Sequence, residues 1–222
     1  MAATNRILRQ PTAEAAARTQ IATVARAKGF AGTDAIERLR QWSVEQPAAF
    51  WQSIWELGEV RASRPADRVL VEGEKMPGAR WFEGARLNFA ENLLRRDDAS
   101  PALIFVGEDG RRRELSWAGL QTEVRSLAAA LAADGVGVGD RVAGYLPNIP
   151  ETIVAMLATT ALGAIWSSAS PDFGVEGVLD RFGQIEPKVL FAVDGYPYAG
   201  KRLDIRSKVA AVAAAIPGLK RT

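Results

Sequence analysis

From Arg141 to Ile216, short apolar runs alternate with longer segments of helical period, and this alternation restricts the chain to few architectures. Arg141–Leu146, Ala164–Ser168 and Lys188–Val193 read as strands. The segment opened by Pro150 carries Ile153, Val154 and Leu157 and stops at Gly163; the next runs from about Gly174 to Gln184; a third carries Ile205, Val209, Val212 and Ile216. Strands that recur with one helix between them imply right-handed crossovers and a parallel sheet. Such a sheet needs helices over its faces. The expected class is therefore α/β, the first half of a mostly parallel sheet with flanking helices. Pro217 and Gly218 stop the last helix, and Thr222 falls where a further strand is expected, so the sheet reads as incomplete at the C-terminus.

A helical and irregular N-terminal cap precedes this sheet. Thr12–Gly29 reads as a surface helix in preference to a transit peptide. Asp34 and Glu37 have capping-box spacing ahead of Ile36 and Leu39. Phe50, Ile54 and Leu57 form one helical stripe, with Trp51 and Trp55 beside it. Val69–Val71 reads as a short strand and Phe89–Leu94 as a short helix. Ala102–Val106 and Arg112–Leu115 form a hairpin, for which Asp109-Gly110 predicts a type I′ turn. Ser116 then caps a helix, with Leu115 and Leu120 as its hydrophobic staple and Gly135 as its stop. The expected divisions are residues 1–30 as an extension, 31–100 as the cap, and 101–222 as the start of the main domain.

Composition removes several chemistries. There is no Cys and no His, which excludes disulfides, Cys/His zinc sites and Ser-His-Asp or Cys-His catalysis within these residues. The net charge of +2 carries no block of like charge, so nucleic acid and acidic membranes are not expected partners. No apolar run is long enough to cross a bilayer and no secretory h-region follows Arg9, so a cytoplasmic place is expected.

In a parallel α/β sheet, ligands gather beyond the carboxyl ends of the strands. That directs attention to the loops after Leu146, Ser168 and Val193. Gly195–Arg202, GYPYAGKR, approaches the phosphate-loop pattern, but Arg202 stands where a magnesium-binding hydroxyl is required and Pro197 lacks an N–H. Lys201 and Arg202 are still expected at a helix N-terminus, where an anionic ligand would explain two cations. Ser167–Gly174, SSASPDFG, opens a helix that Asp172 is placed to cap. Gly135–Val142, GVGVGDRV, follows a helix and precedes a strand, the reverse of a dinucleotide fingerprint. These residues by themselves leave open a phosphate-loop or Rossmann-type nucleotide-binding enzyme and a non-catalytic interaction module.

Taken together, WFEGARLNFAENLL (Trp81–Leu94), LSWAGL (Leu115–Leu120), Gly139–Gly174 and YPYAGKRLDI (Tyr196–Ile205) resemble the N-terminal part of acyl-CoA synthetases of the adenylate-forming superfamily. The resemblance covers roughly residues 30–222. FWQSIW (Phe50–Trp55) and the Ser170–Gly174 turn favour the members that act on acetoacetate. It implies a ligase that forms an acyl-adenylate from ATP with Mg2+ and then transfers the acyl group to coenzyme A, with small-molecule partners only. The family's Ser/Thr-Gly-Thr-Thr-Gly loop does not occur between Met1 and Thr222. No catalytic residue is therefore assigned, the catalytic loops are expected beyond Thr222, and the chain alone is expected to be inactive. The resemblance does imply a coenzyme A surface. Its turn falls on Ser170, Pro171 and Asp172, and its two arginine positions fall on Tyr198 and Lys201, with Arg202 beside them. Basic character persists at Lys201 and is lost at Tyr198.

Overall fold

The computed structural model describes residues 9–222. The chain divides into two compact units, one ending at Arg86 and one spanning Leu87–Thr222.

In the first unit, α1 (Ala13–Ala17) and α2 (Gln20–Ala27) replace the single helix expected at Thr12–Gly29. Two threonines explain the break. The hydroxyls of Thr12 and Thr19 accept from the amides of Ala15 and Ala22, so each starts its own helix. α3 (Ala35–Glu45) and α4 (Pro47–Leu57) follow, the latter with Pro47 in its first turn. Asp34 occupies the N-cap of α3, but the capping box does not form. The Asp34 backbone, at φ −97 and ψ 2, departs from the extended cap conformation, and Glu37 turns to Arg40 at 2.6 Å. Phe30, Trp42, Phe50, Trp51 and Trp81 form a chain of edge-on contacts, with ring centroids 5.4 to 6.4 Å apart. Trp55 stacks on Phe82 at 4.5 Å. β1 (Arg68–Val71) and β2 (Arg80–Glu83) pair antiparallel. β2 was not expected from sequence, because its four residues do not alternate in burial.

The second unit opens with α5 (Phe89–Leu93) and the antiparallel pair β3 (Pro101–Val106) and β4 (Arg112–Ser116). The β3–β4 turn is not type I′. Gly110 has φ +77, whereas Asp109 is not left-handed, and the Gly110 amide bonds to the Gly107 carbonyl at 3.0 Å. This is a three-residue loop with glycine at its left-handed position, closed by Gly107 N–H to the Arg111 carbonyl at 2.9 Å. The Ser116 hydroxyl caps α6 (Trp117–Ala133) by accepting from Gly119, as its sequence position requires.

β5 (Arg141–Tyr145), β6 (Ile165–Ala169) and β7 (Val189–Ala192) form a parallel sheet in the order β6-β5-β7. Their crossovers are α7 (Pro150–Ala161) and α8 (Val175–Ile185). The pleat sends alternate residues into two cores. Val142 and Val189 join Leu120, Val124 and Leu157, while Ala143, Tyr145 and Leu190 join Val178, Phe182 and Val212. Beyond β7 the chain forms β8 (Gly195–Tyr198), β9 (Lys201–Asp204) and α9 (Arg206–Ala215). The expected further strand has a counterpart in Lys220 and Arg221. The Lys220 amide bonds to the Lys188 carbonyl and the Leu190 amide to the Arg221 carbonyl, a parallel bridge along the outer edge of β7. Arg221 also pairs with Asp134 at 2.5 Å.

One side chain inside this unit works against its surroundings. Thr159, in α7, is fully buried and its hydroxyl has no hydrogen-bond partner among the described residues. An unmatched buried hydroxyl costs about 1–3 kcal/mol of desolvation. Thr159→Val keeps the branch and removes the hydroxyl, so it is expected to stabilise the fold by about 1 kcal/mol. Urea denaturation checks this; a destabilised variant would show that the hydroxyl has a use.

Candidate functional site

The carboxyl ends of β5, β6 and β7 each lead into a different structure. After β5 the chain passes through Pro147–Ile149 into α7, with the Thr152 hydroxyl closing on the Pro147 carbonyl at 2.7 Å.

After β6 the chain makes the turn Ser170–Phe173, closed by the Phe173 amide on the Ser170 carbonyl at 3.1 Å. Ser170 and Asp172 are exposed, whereas Pro171 is fully buried. Pro171 therefore supports the turn from below, and its side chain offers no ligand contact. Asp172 does not cap α8. The N-cap is Gly174, with no side-chain cap bond. The Asp172 carboxylate instead accepts from the Tyr196 hydroxyl at 2.6 Å and from the Ser170 hydroxyl at 2.9 Å. These bonds, that from Tyr196 foremost, hold the Asp172 carboxyl below the usual carboxylate range. Tyr145, buried under the turn, donates to the Phe173 carbonyl at 2.5 Å and the Pro171 carbonyl at 3.2 Å.

After β7 the structure corrects the expectation for Lys201 and Arg202. They do not begin a helix. They lie on β9, paired with Tyr198 and Pro197 of β8, and α9 starts only at Arg206. Ala199 and Gly200 form the connection with φ +51 and +73, both left-handed, as a two-residue I′ turn requires. The strands approach closely at Gly195, where a Cβ would stand 2.4 Å from the Leu203 carbonyl oxygen. A phosphate loop is incompatible with this geometry, because a ladder occupies the backbone groups that would wrap the anion. The sequence signal for the hairpin was Ala-Gly flanked by Tyr198 and Lys201, and it was masked by the Gly-Lys pattern.

The hairpin also separates the two cations. Residues opposite each other across a ladder share a face. Tyr196, Tyr198, Lys201 and Leu203 therefore lie on one face, and Pro197 and Arg202 on the other. Arg202 stands 3.9 Å from Asp194, whereas Lys201 has no ion pair among the described residues. A cleft of about 390 Å³ lies between this hairpin and the β3–β4 tip, lined by Asp109, Arg111, Tyr196, Pro197, Lys201 and Arg202 among others. Arg111 is already paired with Asp109 at 2.5 Å. Tyr198 is half-exposed at the hairpin end. The residue that sequence reasoning missed is Tyr196. It is 6% exposed, and burial together with the Asp172 carboxylate pushes its hydroxyl up to about 12. Ser170, Asp172 and the hairpin face bearing Lys201 are thus joined through Tyr196.

The model of the AMP-binding enzyme family matches residues 89–219, and that of the acetyl-coenzyme A synthetase N-terminus matches residues 36–93. The acetoacetyl-coenzyme A synthetase of Rhizobium meliloti is 53% identical over 186 residues, which are 84% of this chain and 28% of that protein. The acetoacetyl-CoA synthetase of Gallus gallus is 42% identical over 82% of this chain and 28% of its own length. The solved structure of acetoacetyl-CoA synthetase from Streptomyces lividans superposes with a TM-score of 0.86 at 47% identity, over 95% of this chain and 34% of that one. The chain thus spans roughly a third or less of the relatives it matches. The parallel sheet, its crossovers and the turn and hairpin beyond its strands all lie within the matched segment, and the chain belongs to the AMP-binding enzyme family.

Proposed function

We propose that this chain is the N-terminal part of an ATP-dependent, AMP-forming acid–thiol ligase of the cytoplasm. Acetoacetate is the favoured acid, ATP with Mg2+ its activating partner, and coenzyme A the acceptor. The named activity of the relatives supports the reaction. One structural observation carries this chain's share of it: Lys201, without an ion pair among the described residues, on the exposed end of a hairpin beyond the carboxyl ends of the parallel strands.

The residues fit a coenzyme A surface. Lys201 presents to a phosphate of the ligand a cation that has no ion pair among the described residues. Tyr198, opposite Lys201 in the ladder, offers a half-exposed ring beside it. Ser170 presents a hydroxyl on the turn. Asp172, already accepting two hydrogen bonds, fixes these elements and does not meet the phosphate itself. Arg202, on the opposite face and near Asp194, gives long-range attraction. Bound coenzyme A supplies the thiol that displaces AMP from the acyl-adenylate. The part assigned to this chain is to hold and orient that ligand.

The test is the fate of ATP. The complete ligase is expected to catalyse acetoacetate-dependent exchange of pyrophosphate into ATP, and to release AMP. Formation of ADP and phosphate would contradict the proposal. The 222-residue chain alone is expected to give no exchange above the enzyme-free blank. Exchange by the chain alone would contradict the division of labour.

A further inference from the structure

The β8–β9 hairpin is a separate two-stranded sheet and shares no ladder with β6-β5-β7. The short link Val193–Asp194 ties it to β7, and its placement beside the Ser170–Phe173 turn otherwise depends on side chains. Two tyrosines meet this turn from different elements. Tyr145, on the central strand, holds it from below through the Pro171 and Phe173 carbonyls. Tyr196, on the hairpin, reaches Asp172 at 2.6 Å, across 24 residues of sequence. The Tyr196 ring is buried in the core with Val178, Phe182 and Ile205, a role phenylalanine would fill equally well. Its hydroxyl is needed only for the carboxylate. Tyr196 also lies two residues from Tyr198 and opposite Leu203, on the Lys201 face, so whatever fixes Tyr196 fixes the direction in which Lys201 is presented.

We propose that Tyr196 is a positioning residue whose hydroxyl, bonded to Asp172, sets the Lys201 face of the hairpin against the Ser170–Asp172 turn, so that a ligand bridging the two elements depends on that bond. This rests on the coenzyme A reading above and names the coupling that makes the turn and the hairpin one site. A ligand that reaches only the hairpin does not need the coupling. A ligand that spans both elements binds a preorganised pair, and without the bond it must also order them.

The experiment is a titration of the protein with two probes, coenzyme A and adenosine 3′,5′-bisphosphate, followed by amide chemical shifts in NMR, which register even millimolar binding. In the wild type, coenzyme A is expected to shift amides in both 170–173 and 198–202. Tyr196→Phe is expected to weaken coenzyme A by about ten- to hundredfold, the range for losing one hydrogen bond to a charged group. The bisphosphate, bound by the hairpin alone, is expected to change by less than about twofold. Asp172→Ala, which removes the other end of the bond from an exposed position, is expected to reproduce this pattern. The double variant is expected to be no weaker than the weaker single one, as for two ends of one interaction. If Tyr196→Phe does not fold, Asp172→Ala with the same two probes decides. The inference is overturned if coenzyme A binding is unchanged in the variants, if both probes weaken equally, or if the two substitutions multiply. Failure of the wild type to bind coenzyme A would overturn the underlying reading as well, and is distinguishable from these outcomes.

Discussion

Gly144→Val is expected to destabilise the second unit by about 2 kcal/mol, the net of two opposed effects. Valine favours a strand backbone by up to about 1 kcal/mol. Overpacking a filled core costs about 1–3 kcal/mol, and more when the neighbour cannot move. Gly144 lies on β5, the central strand, between Ser168 of β6 and Phe191 of β7. A Cβ there would stand 2.7 Å from two atoms of the Trp166 indole and 3.2 Å from the Leu146 side chain. Trp166 packs against Phe191 at 6.3 Å and belongs to the core under α6 and α7, so it cannot turn away freely. The steric term therefore wins. Urea denaturation of the wild type and variant reads the difference; a variant of unchanged or raised stability would show that Trp166 has room to move.

Lys201→Ala is expected to raise the apparent coenzyme A constant of the complete ligase by about ten- to hundredfold, the range for one charge-assisted contact to phosphate. The salt dependence of coenzyme A binding should fall with it, because the contact is exposed and screened. Arg202→Ala is expected to do less. Its side chain leaves the opposite face of the hairpin and already lies 3.9 Å from Asp194. The reason for the asymmetry is thus the alternation of a strand. A helix N-terminus, as expected from sequence, would have placed both cations near one anion. Equal effects of the two substitutions would argue against the face assignment.

The parallel core was legible because its signals are local. Ser116 capping α6, Pro150 opening α7 and Gly163 ending its turn announce themselves within a few residues, and alternate strands and helices leave few topologies. The candidate site was legible only in part. Lys201, Arg202 and the Ser170–Asp172 turn were singled out, but their local structure was misread. Gly-Lys suggested a helix start, whereas Ala199 and Gly200 both take left-handed conformations and close a hairpin. Asp172 looked like a helix cap from its position two residues before Gly174, but its carboxylate is taken by Tyr196. No periodicity or short motif connects residues 172 and 196. That bond exists only because the fold brings the end of β6 and the start of β8 together, so Tyr196 could not be found from sequence alone.

The measurement that bears most directly on the account is the pair of half-reactions made on one preparation of the complete ligase carrying Lys201→Ala. Acetoacetate-dependent pyrophosphate exchange, measured without coenzyme A, should stay near the wild-type rate. Thioester formation at low coenzyme A should fall by about ten- to hundredfold and recover as coenzyme A is raised. Equal loss of both half-reactions would contradict the account, because Lys201 would then act through folding or through ATP.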